Sequence, residues 1–164
     1  MKNDTKLPKT LTQTEFQLVA DHCYRVARRI VRKGEAVMPT CVAGTVGDHG
    51  VRVKLSVQVP THDPAYPEMT TRLMEALVQH PDLDFVALVC EAWTAPVKEG
   101  QLPEGSLADH PQRKEIVIFS IMSKDCQIVV VNPLRRNPSR LIRGKLDFGL
   151  KFTGRMAREP NTRN

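Results

Sequence analysis

Two continuous apolar runs, residues 85–93 and 115–122, constrain this chain more than anything else in it. Neither run alternates with polar positions, so each reads as a central strand covered on both faces or nearly so. The remaining elements have to be arranged around that pair. With 164 residues and an apolar fraction of 41%, the chain can bury one core without disulfides or metal as staples.

Residues 12–33 carry the pattern of an amphipathic helix. Thr12 and Glu15 have capping-box spacing, and Phe16, Val19, Cys23, Val26, Ala27 and Ile30 recur at helical intervals. Arg25, Arg28, Arg29 and Arg32 lie largely off that stripe, where they suit the negative end of the helix dipole and could also touch phosphate, and Gly34 is a natural terminator. A hairpin follows, with strands at 37–44 and 51–59 and a turn through Gly47 and Gly50; Gly44 also reads as a turn residue. The second strand alternates Val51, Val53, Leu55, Val57 and Val59 with Arg52, Lys54, Ser56 and Gln58, which predicts one core face and one wet face. Pro67 and Glu68 open a second helix carrying Met69, Leu73, Met74 and Leu77, positioned as a crossover between the second and third strands. Residues 126–131 form a hairpin with the 115–122 strand, and 141–148 read as an edge strand blunted by Gly144 and charges. The fold class expected is α+β: a mixed, mostly antiparallel sheet of about five strands with two helices on one face. Residues 1–11 read as a tail, 12–148 as the single domain and 149–164 as a basic C-terminal tail.

Between the two apolar runs lies a loop of roughly twenty residues, 94–114, and loops this long are usually functional or mobile. Glu91, Trp93, His110, Arg113 and Glu115 flank it. Glu91 and Trp93 share a strand face with Ala87 and Val89, so the carboxylate needs a partner, and Arg113 is the obvious one for Glu91 or Glu115. Three readings follow: an ion-pair lock on the loop, a pocket with Trp93 as stacking wall and Arg113 for an anionic group, or catalysis with a glutamate as base and His110 as acid. The adjacent Asp-His pairs at 21–22, 48–49 and 109–110 are poor chelates, and the chain has no zinc-type spacing, P-loop, dinucleotide fingerprint or nucleophile elbow. No cofactor or metal is therefore expected, and Cys23, Cys41, Cys90 and Cys126 read as buried free thiols.

Charge is unevenly placed. Residues 1–133 carry 15 basic and 16 acidic side chains, whereas 134–164 carry 9 and 2, so the excess behind the net charge of +6 is C-terminal. Arg135, Arg136, Arg140, Arg143, Lys145, Lys151, Arg155 and Arg158 make up a segment suited to phosphate contacts without base reading, since Phe148 and Phe152 alone give little support to single-strand stacking.

The Glu91-Ala92-Trp93 run, the long loop and the run from His110 through Pro111, Gln112, Arg113 and Lys114 to Glu115 resemble a pattern of small uncharacterised proteins of bacterial mobile elements and phages. The resemblance spans residues 85–122, implies no established activity and assigns no catalytic role. The function expected is a non-enzymatic binding protein engaging nucleic acid or an acidic protein surface through the basic segment. The alternative is a small-ligand-binding domain or hydrolase-like enzyme with a pocket under the 94–114 loop. The polar start and the lack of a run near ~20 apolar residues predict a cytoplasmic protein with no membrane partner.

Overall fold

The computed structural model describes residues 10–60, 65–96 and 107–146. Helix α1 (Gln13–Arg32) begins where the capping box predicts: the Glu15 N–H donates to Thr12 Oγ1 at 3.2 Å and the Thr12 N–H donates to Glu15 Oε2 at 2.8 Å. It ends at Gly34, whose φ of +75° is costly for any residue with a Cβ. Leu11, placed in the tail by sequence, is buried with the core cluster under α1.

The strands are β1 (Thr40–Gly47), β2 (Gly50–Gln58), β3 (Phe85–Thr94), β4 (Lys114–Ser123), β5 (Cys126–Arg135) and β6 (Arg140–Leu141), with helix α2 (Tyr66–Val78) between β2 and β3. They form one sheet in the order β2-β1-β3-β4-β5-β6, and every neighbouring pair is antiparallel. The α+β class holds, with six strands rather than about five and no parallel pair. β2 and β3 point the same way with β1 between them, so α2 is the crossover that carries the chain past β1.

The two helices do not share a face. Phe85, Ala87 and Val89 belong to the core under α1, together with Val117, Phe119, Ile128 and Val130; Val86 and Leu88 belong to a second core with Cys41, Ala43, Met74 and Val78 under α2. Successive strand residues point to opposite sides, so a strand between two cores must be apolar at every position. The same fact that makes 85–93 continuous therefore requires a helix on each side.

β2 departs from its simple alternation. The pairing steps from Ala43↔Leu55 to Gly44↔Val53, which leaves Lys54 as the extra residue of a bulge. One inserted residue exchanges the faces: Val51 packs against the α1 core, while Leu55 packs against the α2 core. Gly44 is thus a bulge residue rather than a turn residue, and a Cβ there would lie 2.1 Å from the Arg52 carbonyl oxygen. Buried Asp84 braces the irregularity: its N–H donates to the Gly44 carbonyl at 2.8 Å, and its Oδ2 accepts the Val46 N–H at 2.9 Å.

At the opposite sheet edge β6 spans two residues, shorter than the strand expected over 141–148, of which 147 and 148 lie outside the described residues. The chain nevertheless continues along β5. Ile142 N–H donates to the Pro133 carbonyl at 2.9 Å, and Gly144 N–H donates to the Oδ1 of buried Asn132 at 2.8 Å. Asn132 Nδ2 in turn donates to the Val117 carbonyl at 3.1 Å. A side chain thus replaces the ladder at a position where a Cβ on Gly144 would sit 2.1 Å from the Val131 carbonyl oxygen. Leu134 and Leu141 face each other and complete the core under α1. No helix among the described residues is long and apolar enough to cross a membrane.

Candidate functional site

Glu91 and Glu115 do meet. β3 and β4 pair so that Glu91 lies opposite Val117 and Trp93 opposite Glu115, which puts both carboxylates on the α1 side of the sheet. The guanidinium they share is that of Arg136, not Arg113: Arg136 Nη2 donates to Glu91 Oε2 at 3.0 Å, and its Nε donates to Glu115 Oε2 at 2.9 Å. The reason is register. Asn132 and Leu134 face the α1 core, and the residue two positions further on, just past β5, falls on the same side beside the two glutamates. The other Glu91 oxygen accepts the Val37 N–H at 2.8 Å, so this side chain also fixes the approach to β1. His110 caps its own turn, where its Nδ1 accepts the Gln112 N–H at 3.1 Å just after a short 3-10 helix (Leu107–Asp109). Arg113 takes part in that turn through its N–H, which donates to the His110 carbonyl at 3.1 Å. Trp93 is 46% exposed at the rim. The constellation is a two-carboxylate clamp on the chain that leaves β5, and residues 97–106 of the expected loop lie outside the described residues.

That clamp holds one end of a more distinctive feature. Tyr24, Arg28 and Arg32 recur every four residues along α1 and so line one flank of it. Facing them is the turn that joins β5 to β6 and runs on to Arg143, and between the two walls is a groove of about 430 Å³. Arg28, Arg32, Arg140 and Arg143 all line it. Two contacts set its width. The buried Tyr24 hydroxyl donates to the Leu141 carbonyl at 3.0 Å, and the Arg143 guanidinium lies over the Tyr24 ring, 4.4 Å from its centroid. Arg143 also pairs with Asp21 one turn earlier on α1. Among the described residues, Arg28, Arg32 and Arg140 make no ion pair, whereas Arg143 is paired with Asp21.

The basic segment therefore separates into parts. Arg140 and Arg143 line the groove; Arg135 lies opposite Arg140 in the β5–β6 pair; Lys145 is exposed beyond it. Arg136 is committed to the glutamates. Lys151, Arg155 and Arg158 lie outside the described residues. Arg28 and Arg32 are the groove residues that the sequence left among dipole-compensating arginines. Their four-residue spacing behind Tyr24 is the signal that marks them as one face, but nothing local says what that face meets.

A second hollow of about 410 Å³ flanks α1 on its other side, between Val26, Ile30, Met38 and Val42, with His22 at its edge. Burial, and then the Arg25 charge, lower the His22 pKa below the ordinary 6.5, so this imidazole is neutral at physiological pH. Burial holds the thiols protonated as well: it pushes Cys23 up to about 12 and Cys41 and Cys90 up to about 11, the wrong direction for nucleophiles. Among the described residues no group of histidines, cysteines and carboxylates is placed to hold a metal ion. The chain matches no family model, no curated protein and no solved structure.

Proposed function

We propose that the protein is a non-enzymatic nucleic-acid-binding protein whose phosphate contacts are made in the groove between α1 and the turn after β5. One observation carries this reading: four arginines from two distant segments line a single groove, and three of them have no ion pair among the described residues. Cations gathered in this way repel each other and hold counterions, and a phosphate backbone displaces those counterions with a gain in entropy. Arginine suits such contacts because its planar fork meets two phosphate oxygens at once. The carboxylates that in another setting would suggest acid–base chemistry are engaged with the Val37 N–H and the Arg136 guanidinium. An acidic protein surface is the competing partner, and it lacks the regular charge spacing that rewards a line of arginines.

The test is a fluorescence-anisotropy titration of the full chain with labelled oligonucleotides over a range of salt. The triple variant Arg28→Ala, Arg32→Ala, Arg140→Ala should lose more than about tenfold in affinity, and its slope of log K against log salt should shrink by about two to three, the share of three phosphate contacts. These side chains are exposed, so the melting temperature should hardly move. Native affinity and slope in the triple variant would overturn the proposal. Displacement of the oligonucleotide by polyglutamate at equal charge concentration would point instead to an acidic protein. A chain ending after Leu146 keeps both walls of the groove and measures what Lys151, Arg155 and Arg158 add.

A further inference from the structure

We infer that the groove takes single-stranded nucleic acid and that Arg143 serves as a stacking platform for an unpaired base, which deepens the nucleic-acid reading and rests on it. The argument lies in how differently the four arginines are held. Arg143 is the one whose charge is already answered, by Asp21, and whose guanidinium carbon is already seated over the Tyr24 ring, 4.4 Å from its centroid. A guanidinium whose N–H edge is bound to a carboxylate is a poor phosphate ligand. What it still presents is the face away from the ring, and its side chain is 51% exposed. A flat, cationic, immobilised surface of this kind matches the π-face of a nucleobase, and arginine planes take that role for bases splayed out of single strands.

Tyr24 cannot drift from its place under Arg143, because its hydroxyl is tied to the Leu141 carbonyl and its body is buried. The platform is therefore built before any ligand arrives, and little conformational entropy is lost on stacking. Arg28, Arg32 and Arg140 surround it at the surface, free to follow a backbone on either side of the stacked base. A groove of about 430 Å³ is in the size range of a small-ligand pocket, which suits a nucleotide or two and not the width of a duplex. In a duplex the bases are stacked on one another, and their faces are closed to Arg143.

The experiment compares three labelled probes on the full chain at one salt concentration: a short single-stranded oligonucleotide, the same oligomer with abasic sites, and its duplex. The base-bearing single strand should bind at least about fivefold more tightly than the abasic strand, the low end for one stacked base. In Arg143→Lys, which keeps the charge facing Asp21 and loses the plane, that preference should vanish while abasic binding stays unchanged. A melting curve of Arg143→Lys close to the native one excludes unfolding as the cause. Equal binding of base-bearing and abasic strands, or a preference for duplex, overturns the stacking inference and leaves the phosphate reading standing. Failure of all three probes to bind overturns both.

Discussion

Replacing Asn132 by alanine should unfold the edge that carries the groove. The amide is almost fully buried and serves two backbone groups at once, the Val117 carbonyl at 3.1 Å and the Gly144 N–H at 2.8 Å. Two hydrogen bonds at about 0.5–1.5 kcal/mol each vanish, and a buried backbone donor and acceptor lose that partner, so the loss should be about 2–4 kcal/mol. Urea denaturation followed by circular dichroism would read it as a lower midpoint with an unchanged slope. Asn132→Asp sharpens the test. The carboxylate can still accept from Gly144, but it has no proton for Val117 and must bury a charge, which raises its folded-state pKa. A group whose folded pKa is raised gives its stability at low pH and loses it as pH climbs through that value, so the aspartate variant should close part of the gap to the native protein on acidification. A change below about 1 kcal/mol for alanine, or an aspartate variant whose deficit is flat with pH, would refute the claim that this side chain stands in for the sheet ladder.

Gly44→Ala and Gly144→Ala each push a Cβ to 2.1 Å from a backbone carbonyl oxygen, so each should cost about 1–3 kcal/mol in the same denaturation assay. Glu91→Gln keeps an acceptor for Val37 and loses only the charge facing Arg136, a partly exposed pair, so it should cost no more than about 1 kcal/mol; Glu91→Ala also abandons the Val37 N–H and should cost about 1–3 kcal/mol. Cys23, Cys41 and Cys90 lose their protons near 9.0 when unfolded and at about 11 to 12 when folded, so stability should be level below pH 9 and fall as pH rises from 9 toward 11. Urea midpoints at pH 8 and pH 10 should show that fall, and Cys41→Ala should make it shallower.

Local signals carried most of the secondary structure. The Thr12–Glu15 box sets the start of α1, and the mostly apolar run 85–93 announces a central strand covered on both faces, although the arrangement expected from sequence puts the second helix on the same face as the first. What escaped the sequence depends on pairings between distant segments. The bulge at Lys54 inverts half of β2, and no pattern within 51–59 reveals it because Val51, Val53, Leu55 and Val57 are apolar on either reading. Arg113 is the natural partner for Glu115 by sequence because it is two residues away, yet the β4–β5 register delivers Arg136 from 21 residues on. Asn132 carries a readable hint: it stands in the buried phase of β5 between Val130 and Leu134, where an amide must find partners. The basic excess after residue 133 draws attention to one wall of the groove, but the other wall comes from the first helix.

The tie between Tyr24 and Leu141 spans 117 residues. During synthesis the Tyr24 wall leaves the ribosome more than a hundred residues before the turn that faces it. Until that turn is made, α1 shows Arg28 and Arg32 without Arg140 and Arg143 opposite them. The groove is therefore complete only once residue 143 has emerged and β6 has paired with β5.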